Sequence, residues 1–133
     1  MVRREEAEIL KERALKMLNA SEKHLTSGDY DLAAFLAEQA AQLFLKYKVF
    51  TLTGEIPRTH YLRDLLQILA KILKIENKIF NYVRENRSLL IRLEEAYIAS
   101  RYLLRRYERE ETEELVEFAK RLIEFVRNLR SRI

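Results

Sequence analysis

Leu32-Ala33-Ala34-Phe35-Leu36-Ala37, followed by Ala40-Ala41-Gln42-Leu43-Phe44-Leu45, decides the fold. Apolar side chains fall here at nearly every phase of a helical turn. Such a helix has no face to give to water, so residues 31–52 are expected to form the central helix of an all-helical molecule. The alanines let neighbouring helices approach closely. Gln39, Gln42 and Lys46 are polar exceptions on this helix, and Gln39 and Lys46, seven residues apart, share one face. Asp29 is placed to cap its start, and Gly54 can take the left-handed conformation that closes its end.

The rest of the chain supplies the flanking helices. Over 4–25, Ala7, Leu10, Ala14, Met17, Ser21 and Leu25 recur at three- and four-residue steps. A third helix begins after Thr59, an expected N-cap, with Leu62, Leu65, Leu66, Leu69, Ile72 and Leu73 as its buried stripe. A fourth covers 78–106, either continuous or broken near Asn86. Glu108 to Glu114 reads as a charged joint, and the last helix covers 112–130 with Leu115, Phe118, Leu122, Phe125, Val126 and Leu129 inward. Short connections make successive helices antiparallel. The expectation is an all-α, up-and-down antiparallel bundle of four main helices plus one shorter helix, in one domain over 1–133.

Composition narrows the function. With 133 residues the chain can bury a sizeable core without staples. It has no cysteine, which excludes disulfides and thiolate metal sites and suits a cytoplasmic setting. No apolar run approaches the length of a membrane span. A net charge of +4 permits a polyanionic ligand without demanding one. Charged residues form 35% of the chain, a thermophile-like balance. No glycine-rich phosphate loop is present, two histidines without adjacent carboxylates make no metal site, and no cofactor is expected.

Gly54-Glu55-Ile56-Pro57-Arg58-Thr59-His60 holds the only proline and one of two histidines. It places His60 at the start of the third helix, as either a hydrogen-bonding group or an ordinary exposed residue. Downstream, Ser100-Arg101-Tyr102 puts Arg101 on the shoulder of the stripe through Leu93, Tyr97 and Leu104. A guanidinium there suits an anion. Arg101, Arg105 and Arg109 recur at four-residue steps, as either a basic ridge or a solvated face. Lys46, among Leu43, Phe44, Tyr47 and Phe50, either snorkels or adds charge to a site. His24 reads as structural.

These pieces, in order, resemble the HEPN family (higher eukaryotes and prokaryotes nucleotide-binding domain). The resemblance rests on Ala14-Leu15-Lys16-Met17-Leu18, Gly28-Asp29-Tyr30-Asp31-Leu32-Ala33-Ala34-Phe35, Gln39 to Lys46, the Gly54–Pro57 loop, Thr59-His60-Tyr61-Leu62 and Ser100-Arg101-Tyr102. It implies a helical bundle, commonly a homodimer, that often works beside a minimal nucleotidyltransferase as a toxin–antitoxin pair. Many members are RNases, whose signature is an Arg followed within about two helical turns by a His. Arg101 has no such His after it. The resemblance therefore implies a non-catalytic module that binds a nucleotide, RNA or a nucleotidyltransferase partner. Its ligand contacts would be Lys46, His60, Arg101, Tyr102 and Arg105. The alternatives are a metal-independent RNase using His60 and Arg101, or a purely structural interaction bundle. Gln42 stands where relatives often carry Glu.

Overall fold

The computed structural model describes residues 3–102 and 105–131; the side chains of residues 100–102 are outside that description. Among the described residues there are six helices and no strand: α1 (Arg4–Thr26), α2 (Tyr30–Thr53), α3 (Leu62–Leu73), α4 (Glu76–Glu85), α5 (Arg87–Tyr102) and α6 (Arg109–Arg127). The architecture is the expected helical bundle. No described helix is long and apolar enough to cross a membrane.

Helix α2 is the axle. It packs on α1, α3, α5 and α6, as its all-round apolar composition requires. Ala33, Ala34, Ala37, Ala40 and Ala41 are fully buried. Their short side chains bring α1 close enough for the buried Ser21 Oγ to donate to the Ala33 carbonyl at 2.6 Å. Gly54 closes α2 in the left-handed region at φ 80°, where a Cβ would be strained. Leu62, Leu65, Leu66 and Leu69 of α3 are fully buried. Each such side chain is worth about 1.5–3 kcal/mol relative to exposure.

Two local expectations are corrected and one open alternative is decided. Of the two readings of the fourth helix the broken one holds: it is two helices, α4 and α5, interrupted at Asn86. Its backbone leaves helical geometry at ψ 18°, and its side-chain amide donates to the Tyr82 carbonyl at 2.9 Å. Thr59 is not the cap of α3; Tyr61 holds that position. The Thr59 hydroxyl accepts the Tyr61 N–H at 3.3 Å and donates to Asp64 at 3.0 Å. These bonds keep the elbow extended and leave His60 two residues short of the helix. Residues 109–114 are no joint but the opening of α6, where the Glu108 N–H donates to Glu111 at 3.0 Å.

Helix α4 docks on the C-terminal part of α6 through Tyr82. Its ring stacks on Phe125 with centroids 3.8 Å apart and planes 7° apart. Such a pair adds to the burial of the two rings.

Candidate functional site

Polar side chains collect where α2, the α2–α3 elbow and α5 meet. The innermost is Glu38, fully buried on α2. A carboxylate there has to find donors, and two amides of the same helix provide them. Gln42 Nε2 donates to Glu38 Oε2 at 2.8 Å and Gln39 Nε2 to Oε1 at 2.7 Å. No cation lies within ion-pairing distance of Glu38 among the described residues. Desolvation therefore dominates, and pushes its pKa up to about 7 against the opposing pull of Gln42, Gln39 and Lys46.

The donation to Glu38 fixes Gln42, so its carbonyl oxygen faces outward. His60 Nδ1 lies 3.2 Å from that oxygen. The same Nδ1 lies 3.2 Å from Lys46 Nζ. One ring nitrogen cannot donate to the carbonyl and accept from the ammonium at once. Either choice leaves donors over: Lys46 carries three N–H groups, and no described residue bonds His60 Nε2. Lys46 is half-buried, and burial pulls its pKa down while Glu38 holds it up. The imidazole is flanked by Tyr97 of α5, with centroids 5.6 Å apart.

A second carboxylate lies close enough for its charge to push Glu38 further up. Glu94 of α5 is 6% exposed and is gripped by Arg63 at the start of α3. Arg63 Nη2 reaches Oε1 at 2.8 Å, Nε sits 3.2 Å from both oxygens, and the Arg63 backbone N–H donates to Oε2 at 2.9 Å. This pair pins α3 to α5 and sets the direction from which His60 arrives.

Of the sequence candidates, Lys46 and His60 meet directly. Arg101 and Tyr102 lie on the last turn of α5, and their side chains fall outside the described residues. The backbone of Arg101 follows Tyr97 by one turn and Glu94 by two, hence on the same helix face. Arg105 follows a different course. It lies beyond α5, donates to Glu111 at 2.8 Å and covers the Tyr107 ring with its guanidinium 4.0 Å from the centroid. The Arg101–Arg105–Arg109 ridge does not exist on one helix, because residues 105–108 are not helical and Arg109 begins α6. Sequence reasoning missed Glu38, Arg63 and Glu94. Two of them carried a signal: Glu38 is a carboxylate inside an all-round apolar run, and Glu94 falls on the stripe of Leu90 and Tyr97.

The HEPN domain family profile matches residues 7–129. Among solved structures, the crystal structure of TT1696 from Thermus thermophilus is similar at a TM-score of 0.73 and 28% identity. That likeness covers 91% of this chain and 95% of the other. No curated protein matches the chain.

Proposed function

This chain belongs to the HEPN family, and on that premise we propose that it is a binding module whose ligand is a nucleotide or RNA phosphate held at the Lys46–His60 cleft. The observation that carries the proposal is the meeting of Lys46 Nζ with the His60 imidazole beside the Gln42 carbonyl, with N–H groups left over. A phosphate oxygen accepts such donors readily. Arg101 is proposed to add a guanidinium from the adjoining face of α5, with Tyr102 beside it. Arg105, committed to Glu111, is assigned no ligand contact.

Cleavage is not part of the proposal. The family's RNase signature needs a histidine after the arginine, and none follows Arg101. Family membership also supports a homodimer and a nucleotidyltransferase partner of the toxin–antitoxin kind, as parts of this same proposal.

Binding should strengthen as pH falls through about 7, because protonating Glu38 removes a negative charge beneath the ligand. Titration calorimetry with a nucleoside monophosphate is the test. Wild-type binding that weakens with salt, and is lost in Lys46→Ala and His60→Ala, is expected. Equal heats from wild type and both variants would discard the cleft as the site. An RNA cleavage assay with His60→Ala as control is expected to show no turnover, and His60-dependent cleavage would replace binding with catalysis.

A further inference from the structure

The joint at Asn86 creates a surface that the cleft does not use. Where α4 breaks from α5, a groove of about 540 Å³ is lined by Arg84, Glu85, Arg87, Ser88, Ile91 and Arg92. Three guanidiniums face one carboxylate. Arg92 is occupied by Glu114 at 2.8 Å. Arg84 and Arg87 are exposed and have no ion pair among the described residues. A solvated helix face usually interleaves its charges with opposite partners, as Arg109 with Glu113 and Arg127 with Glu124 do on α6. This groove leaves two of its three cations without an ion pair among the described residues.

An aromatic ring stands beside it. Phe80 on α4 is 59% exposed, the most exposed large apolar side chain among the described residues. It lies one turn before Arg84, whose guanidinium is 5.8 Å from the ring centroid. Exposing a phenyl ring costs apolar burial, and here the ring adjoins Arg84, which has no ion pair among the described residues. Cations for a backbone and a flat ring for a base are the two parts of a single-strand binding surface.

The groove also lines up with the cleft. Arg87, Glu94 and Arg101 are spaced by seven residues and share one face of α5. From Arg87 to Arg101 this face extends roughly 21 Å. Glu94, midway between them, is covered and neutralised by Arg63. A mononucleotide cannot bridge that distance; a strand can.

We propose that the Arg84–Arg87 groove with Phe80 is a docking surface for the backbone of single-stranded RNA, which runs along α5 into the Lys46–His60 cleft. The proposal rests on the nucleotide-binding reading above for its ligand class. A segment of acidic side chains alone, such as polyglutamate, would use the arginines but has no flat or apolar group to lay on the ring.

Fluorescence anisotropy with a labelled single-stranded oligouridylate, beside calorimetry with uridine monophosphate, tests it. Wild type is expected to bind the strand more tightly than the monophosphate. The double variant Arg84→Ala/Arg87→Ala should weaken strand binding roughly tenfold and flatten its log–log salt slope by about 1.4, two contacts at about 0.7 each. Its monophosphate binding should not change. Phe80→Ala should also weaken the strand roughly tenfold, with little effect on salt dependence. All three side chains are exposed, so these variants keep the fold. A strand bound no more tightly than the monophosphate overturns the groove and spares the cleft. Failure to bind either ligand overturns both. Polyglutamate that displaces the strand at equal charge concentration, with Phe80→Ala indifferent, overturns the RNA assignment in favour of an acidic protein segment.

Discussion

Two polar clusters sit along α5, and they are built on different rules. On the side that meets the start of α6, charges are balanced pairwise. Arg105 meets Glu111 at 2.8 Å, Arg92 meets Glu114 at 2.8 Å, and Asp31 accepts the Tyr107 N–H at 2.8 Å. The cavity among Arg92, Glu95, Arg105, Tyr107, Glu111 and Leu115 holds only about 70 Å³. The pairs form a clasp holding the start of α6 to α2 and α5. Under His60, the books are left open. Glu38 is buried with amides and has no ion pair among the described residues, and Lys46 faces an imidazole instead of a carboxylate. Satisfied charge holds a fold together, whereas uncompensated charge waits for a ligand.

The contrast breaks most visibly at Arg63. It belongs to the cleft but obeys the clasp's rule, so its loss should be structural. Arg63→Ala strands the buried Glu94 with one backbone donor. That should cost about 3 kcal/mol, read by urea denaturation. A loss below about 1 kcal/mol would move the pair into the open class.

Glu38 should show the opposite signature, a stability that depends on pH. Its carboxyl is held at about 7 when folded and has an ordinary value of 4.5. Between these values the folded chain binds the proton more tightly than the unfolded one. Stability from this group is therefore full below about pH 4.5 and falls as pH rises through 7, by at most roughly 3 kcal/mol. Glu38→Gln, which cannot ionise, should flatten the melting temperature between about pH 5 and 8. A wild-type profile that is already flat would show that Glu38 has found a cation.

Arg105→Ala should have the smallest effect. Its side chain is 46% exposed. Stability should drop by no more than about 1 kcal/mol, and nucleotide affinity should be unchanged. A weakened ligand would make the clasp a second half of the site.

The sequence shows helices far better than it shows this contrast. The centrality of α2 follows from its composition alone, because no other placement hides a helix that is apolar all round. The break at Asn86 was readable as one of two alternatives. The hub at Glu38 was harder: a carboxylate inside an apolar run signals burial, but the run alone does not say which donors meet it. Arg63 and Glu94 lie thirty-one residues apart, and only the packing of α3 on α5 joins them. Arg105 shows the reverse error. Four-residue spacing extended a helix through residues 105–108, which are not helical.

The face-to-face rings of Tyr82 and Phe125 carry a spectroscopic consequence. With seven tyrosines and no tryptophan, the near-ultraviolet signature of this protein is phenolic. Desolvation holds the Tyr82 hydroxyl up at about 12, so this chromophore keeps its proton in alkali that ionises a solvated phenol. The seam between α4 and α6 thus has an intrinsic optical label, and any event that slides the two apart is written into the absorbance of one ring.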